Sequence, residues 1–168
     1  MTNIENIMNN IQNNDTDLLQ FLSFKVGNEV YGVDIHSIIE IKGWSNTLSI
    51  PKTPEYMMGV FNLRGSIIPI FALRAKFEMG NTNPDKTNVV IILSCNNKTI
   101  GILVDVVLDI ITVNAHELSS YFEYSNISEK FIDGFINRDN ELMIILLMIE
   151  SLFTNRDIDQ AREVIEDQ

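Results

Sequence analysis

From residue 18 onward the chain is a succession of short apolar runs separated by polar turn residues. Residues 18–26 are apolar with β-branched and aromatic members, Gly27–Asn28 interrupts them, and the same texture resumes over 29–33. Two such runs about two turn residues predict a β-hairpin. Residues 36–41 read as a helical turn or a further strand, and the branching of Ile38, Ile39 and Ile41 favours strand. Pro51 and Pro54 mark a loop, and residues 55–58 then fit one helical turn ended by Gly59. Residues 60–63 and 66–71 repeat the hairpin pattern around Arg64–Gly65. Pro69 places the second of these strands at an edge or a bulge, because proline brings no amide proton to a ladder.

Residues 79–86 (MGNTNPDK) are a polar turn region. Strand signals return over 87–93, 99–104 and 106–113, with Asn96–Asn97 as a tight turn between the first two. Residues 116–125 mix a helical turn with loop. Residues 131–136 and 142–148 flank another hairpin turn at Arg138–Asp139–Asn140. The end of the chain changes period: Ile149, Leu152, Phe153, Ile158, Ala161, Val164 and Ile165 stand among charged residues. This predicts a helix over 150–165, broken near Thr154–Asn155, which can cap a second helix at Arg156. At the other end, residues 1–17 are rich in Asn and Asp, whose side chains compete with helical backbone bonds. A flexible tail is expected there. The helical spacing of Ile4, Ile7, Met8 and Ile11 leaves open a short amphipathic helix that docks.

Many short strands and one terminal helix predict an all-β sandwich or barrel. The polar turn near residue 80 splits the strands into two similar sets, which fits two small barrels side by side. A chain of 168 residues suits one compact unit. It buries about two-thirds of its unfolded surface, enough to fold without disulfide or metal. The single cysteine, Cys95, excludes an internal disulfide and reads as a small strand residue. The net charge of −11 provides no basic stripe to release counterions from a phosphate backbone. Nucleic acid and anionic lipid are therefore poor partners. No basic segment followed by an apolar core opens the chain, and the longest apolar run, residues 142–149, is too short to cross a bilayer. A cytoplasmic location is the expectation.

The search for an active site returns little. His36 and His116 are far apart, and neither has a Cys, Asp or Glu at metal-motif spacing. Neither a G-x-S-x-G elbow nor a phosphate-cradling glycine loop occurs. Asp105 and Asp109 would share a strand face but lie about 13 Å apart, beyond the usual reach of a glycosidase pair. Surface remains: edge strands present unpaired backbone groups that a partner can use.

The run Gly59–Val60–Phe61–Asn62–Leu63–Arg64–Gly65–Ser66–Ile67–Ile68–Pro69–Ile70 closely resembles the "GV-x-NLRG-x-I-x-P-I" segment of CheW coupling proteins. The resemblance continues in order. Residues 21–25, Tyr31 to Ile35 and Ile39–Glu40–Ile41 look like the family's opening strands, and the segment from Ile50–Pro51 to Thr53–Pro54 is similar to its loop. Leu73–Arg74–Ala75–Lys76–Phe77 resembles "LR-x-KF". Residues 89–93, 101–105 and 142–152 look like its later strands and final helix. About residues 18–155 are covered. Departures are Ala72, where an acidic residue is common, Val106, where a small or polar one is, and residues 118–127, which lack the family's prolines.

The resemblance implies two five-stranded SH3-like β-barrels packed side by side, over residues 18–155, followed by a C-terminal helical tail at 156–168. It implies no catalysis and no cofactor. It implies a cytoplasmic adaptor whose partners are the chemoreceptor hairpin tip and the regulatory domain of the histidine kinase CheA. Carried over by position, the receptor-binding residues are Ile38, Glu40, Arg64, Val107 and Ile110. The kinase-binding residues are Gly59, Ile67, Ile68 and Ile70. Arg64 is expected to reach an acidic receptor tip or Glu40. Rival readings are a CheV-like binding module, for which a receiver domain is missing, a detached CheA regulatory domain, and a β-barrel enzyme of unknown type.

Overall fold

The computed structural model describes residues 18–45, 56–80, 83–119, 129–138 and 142–159, together with Ile4 and Ile7. Eleven strands dominate these: β1 (Leu19–Val26), β2 (Glu29–Asp34), β3 (Ile38–Gly43), β4 (Met57–Leu63), β5 (Ser66–Ala72), β6 (Val89–Cys95), β7 (Lys98–Val104), β8 (Val106–Val113), β9 (Leu118–Ser119), β10 (Ile132–Arg138) and β11 (Leu142–Leu147). They form one sheet in the order β8-β1-β2-β11-β10-β9 and another in the order β3-β6-β7-β5-β4. The all-β expectation holds. The first sheet has five main strands, as expected, plus the two-residue β9.

Both sheets curl so that their ends meet. In the second, β3 and β4 lie at opposite ends of the strand order, yet Glu40 on β3 reaches Arg64 just after β4, and Lys42 on β3 sits 4.8 Å from the Phe61 ring centre on β4. In the first, Arg138 at the end of β10 donates from Nη2 to the Thr112 carbonyl on β8 at 2.6 Å. Each sheet is therefore wrapped into a small barrel.

The burial pattern explains why the strands read as unbroken apolar runs rather than alternating ones. Successive residues serve different cores. On β6, Val89, Ile91, Leu93 and Cys95 face a large cluster drawn from both sheets, while Val90 and Ile92 face a smaller cluster with Ile68, Ile70 and Leu103. On β11, Ile145 and Leu147 face the shared cluster, whereas Ile144 and Leu146 join Phe21, Val30, Val113 and Ile136. One core thus glues the barrels together and one fills each barrel. Small residues are needed where a barrel interior is tightest. A Cβ on Gly32 would lie 2.9 Å from Leu146, and one on Gly101 would lie 2.6 Å from Ile70.

Three two-residue turns set the hairpins. Gly27 alone has positive φ (63°) in the β1–β2 turn, as a type II′ turn needs, while Asn96 (53°) and Asn97 (66°) both do in the β6–β7 turn, as type I′ needs. The β4–β5 turn is also of the I′ kind, but its first residue is Arg64 (φ 50°), followed by Gly65 (89°). Asn62 steadies it by accepting the Gly65 amide at 2.9 Å.

Several expectations need correction. The turn near residue 80 does split the strands into two sets, β1–β5 and β6–β11, but neither set is a barrel by itself: β1 and β2 share a barrel with β8–β11, and β3–β7 make the other. Gly59 ends no helical turn; it lies within β4 at a register shift, with φ 143°. Strand β5, which holds Pro69, is not an edge, since β4 and β7 flank it; pairing with β7 begins one residue later, at Ile70. The helix after residue 148 is interrupted where expected. It ends at Leu152, and Thr154 then caps a new turn: its Oγ1 accepts from the Asp157 amide at 3.3 Å, while Asp157 Oδ2 accepts from the Thr154 amide at 3.1 Å. Ile4 and Ile7 are helical, and Ile7 is buried in the shared core, so the docking alternative describes these two residues better than a frayed tail. The rest of residues 1–17, the proline loop at 51–54, residues 120–128, the turn at 139–140 and the chain after 159 lie outside the described residues.

Candidate functional site

Strand β3 begins after the crossover turn Ile35–Ser37, which Asp34 caps by accepting the His36 amide. A register shift between Ile38 and Glu40 resets the side-chain alternation. Ile38 and Ile41 consequently both face the shared core, Ile39 is left 41% exposed, and Glu40 turns to the barrel seam. There Glu40 Oε2 lies 3.4 Å from Arg64 Nη2. The pair is lopsided: the Arg64 side chain is 76% exposed and that of Glu40 only 23%. Glu40 Oε2 is buried and, among the described residues, no donor completes a hydrogen bond to it. A buried acceptor in this state gains from any donor brought to it.

The β4–β5 turn carries Arg64 outward, and Ile67, two residues beyond it, is 49% exposed. Ile68 and Ile70 are not: they are 2% and 0% exposed and fill the barrel interior. Gly59 is also buried. Of the residues carried over as kinase-binding, only Ile67 presents a side chain at the surface, and the other three shape the strands beneath.

The remaining receptor-binding candidates sit on β8, the end strand of the other sheet. Val107 is buried in the shared core and Ile110 packs against it half-buried. Ile38 and Val107 thus border the same core from opposite sheets, while Glu40 and Arg64 belong to the seam of one barrel.

Sequence reasoning missed the groups that fix β8. Ser23 is the buried polar residue that locks a bulge: its Oγ donates to the Asp109 carbonyl at 2.9 Å and accepts the Asp109 amide at 3.1 Å. Asp105, between β7 and β8, accepts from the Gly27 amide at 2.8 Å and from Arg74 Nη2 at 2.5 Å. No sequence signal marks these pairings, because the partners are dozens of residues apart.

The described residues hold no cluster of three metal-ligating side chains. His36 Nδ1 meets Asp34 Oδ1 at 2.9 Å, but Ser37 Oγ is engaged with the Asp34 carbonyl and not with the imidazole, so no nucleophile–base pair forms. Cys95 is buried, with Sγ 3.4 Å from the Phe153 carbonyl, and burial with the nearby Glu150 charge pushes its thiol up to about 11. It is a structural residue. No helix among the described residues is long and apolar enough to cross a membrane.

Comparison with known proteins agrees with this architecture. The chain is 36% identical over 140 residues to "Chemotaxis protein CheW" of Klebsiella aerogenes, covering 83% of this chain and 84% of that protein. It is 34% identical to "Probable chemotaxis protein CheW" of Rhizobium etli, covering 84% and 92%. The crystal structure of the scaffolding protein TtCheW from Thermoanaerobacter tengcongensis superposes with a TM-score of 0.76 at 28% identity, covering 86% of this chain and 94% of that one. The CheW-like domain family matches residues 20–157, and the chain belongs to that family.

Proposed function

We propose that this chain is a non-enzymatic adaptor that joins the cytoplasmic hairpin tip of chemoreceptors to the regulatory domain of the histidine kinase CheA, and that it resides at receptor arrays through those partners. The observation that carries the reading is the seam of the second barrel. Arg64 stands exposed in a turn whose geometry disfavours it, beside a buried carboxylate oxygen awaiting a donor, with Ile39 next to Glu40 and Ile67 three residues after Arg64 both exposed. A cation, an acceptor and apolar anchors are what a docking surface needs, and none of them serves this barrel's interior.

In this reading Ile38, Glu40, Arg64, Val107 and Ile110 form the receptor side. Arg64 and Glu40 make the polar contacts, Ile110 supplies apolar area, and the buried Ile38 and Val107 set the shape. Ile67 is the kinase contact, supported by Gly59, Ile68 and Ile70. The names of the relatives, chemotaxis proteins and a scaffolding protein, agree with an adaptor.

The test is a binding titration of the purified chain against a receptor cytoplasmic fragment and against CheA. Wild type should bind both at micromolar concentration. Arg64→Asp should keep the wild-type circular dichroism spectrum and bind the receptor fragment at least tenfold more weakly, about 1.4 kcal/mol. Wild type that ignores both partners would overturn the reading.

A further inference from the structure

The strand orders of the two sheets match each other. Reading β8-β1-β2-β11-β10 against β3-β6-β7-β5-β4 pairs β1 with β6, β2 with β7, β3 with β8, β4 with β10 and β5 with β11. The correspondence extends to detail. β1–β2 and β6–β7 are both two-residue hairpins. β2 and β7 each make the parallel pair of their sheet, and each places its glycine there: Gly32 opposite Leu146, Gly101 opposite Ile70. Each then crosses at once to the other sheet, through residues 35–37 or through Asp105. Arg64 and Arg138, at the ends of β4 and β10, each close a seam.

The chain is therefore two half-units, β1–β5 and β6–β11. Each half gives a hairpin to one barrel and three or more strands to the other. The ladders β1–β8, β2–β11, β3–β6 and β5–β7 all join half to half, and the shared core draws on both. The only covalent link between the halves is the connector at residues 78–88. Its described residues contribute no strand, hold positive φ at Glu78 (58°) and Gly80 (106°), and include an Asp85–Thr87–Asn88 turn.

We infer that a second copy of this chain can supply the second half. The product is a closed dimer in which each pair of barrels combines β1–β5 of one copy with β6–β11 of the other. Every ladder and core contact of the monomer is retained. Only the closure of the connector is lost, and what holds the monomer together is effective concentration, in the millimolar range for a short tether. Opened out, the connector spans at most about 40 Å, enough to run between two neighbouring units. Shortening it penalises the monomer alone.

The test uses the full-length chain with Gln20→Cys and Thr112→Cys in a Cys95→Ala background. Gln20 on β1 and Thr112 on β8 face each other across the halves, with Gln20 Nε2 3.0 Å from Thr112 Oγ1. An oxidised pair lies within one chain in the monomer and between chains in an exchanged dimer. Deleting residues 80–83, or refolding the natural connector from urea at about 1 mM, should yield a species of twice 19.2 kDa by light scattering. Denaturing electrophoresis should show it covalently dimeric until reduced. A dimer that falls to single chains on the unreduced gel is side-by-side association and overturns the inference. So does a monomer under both treatments. If the deletion aggregates, the concentrated refolding decides alone.

Discussion

Arg74 donates from Nη2 to Asp105 Oδ2 at 2.5 Å, at the single residue by which the chain passes from β7 in one barrel to β8 in the other. The same carboxylate oxygen takes the Gly27 amide, and the Asp105 amide donates to the Lys25 carbonyl at 3.0 Å. One side chain thus ties the first hairpin, the helical turn Leu73–Lys76 and the crossover, so the position of β8 depends on it.

Asp105→Ala removes two charge-assisted bonds from groups that are about one-third exposed, where water offers part of the loss back. A loss of about 1–2 kcal/mol is expected, or about 2–8 °C in the thermal midpoint of a chain this size. The Arg74→Ala/Asp105→Ala cycle should show a coupling of about 0.5–1 kcal/mol. Strict additivity in urea unfolding would mean the two side chains do not interact in solution.

Ser23 offers a sharper case, since it is 2% exposed and satisfies both the amide and the carbonyl of Asp109. Ser23→Ala leaves two backbone groups without partners at the bulge, at a cost of about 1–3 kcal/mol. The Asp109 amide should exchange with deuterium faster than its neighbours on β8. The wild-type exchange rate at Asp109 in the variant would rule the bulge lock out.

How much of this was legible follows from what sequence patterns report. Hairpins were readable at Gly27–Asn28, Arg64–Gly65 and Asn96–Asn97, because turn chemistry is local. Strand identity was readable in residues 89–93 for the same reason. Which barrel a strand joins was not. Val90 and Ile91 look alike in sequence but serve different cores, and a one-residue crossover at Asp105 carries no compositional mark. Gly59 misled because a glycine after a short polar–apolar run suits a helix end as well as a bulge. Glu40 and Arg64 came from family resemblance, and their 3.4 Å approach joins strands at opposite ends of a sheet order that no local pattern encodes.

Alkaline pH should destabilise the fold through buried acids that must stay neutral. Burial and the Glu150 charge raise Cys95 from 9.0 to about 11. Burial, with Glu29, raises Tyr31 above 10.0, and burial, with Asp157, raises Tyr56. In each case the unfolded chain loses its proton first as pH rises. The Cys95 contribution is present in full below about pH 9 and is lost through pH 9 to 11, while those of Tyr31 and Tyr56 are present in full below about pH 10 and begin to fall only above it. The urea midpoint should therefore fall over that interval, and Cys95→Ala should flatten the first part of the fall. A midpoint constant from pH 8 to 11 would contradict the assignment.

Arg64 separates what the fold wants from what the surface wants. Its φ of 50° costs an L residue about 1–2 kcal/mol that glycine does not pay, and asparagine tolerates the region better. Its ion pair with Glu40 offsets little, since the guanidinium is 76% exposed and such pairs contribute about 0–1 kcal/mol. Arg64→Gly and Arg64→Asn should thus raise stability by about 0.5–1 kcal/mol while weakening receptor-fragment binding at least tenfold. A gain in stability with a loss of binding marks a residue kept for its partner. The opposite result, a less stable barrel that still binds normally, would make Arg64 a seam residue and move the docking role to the exposed Ile39 and Ile67.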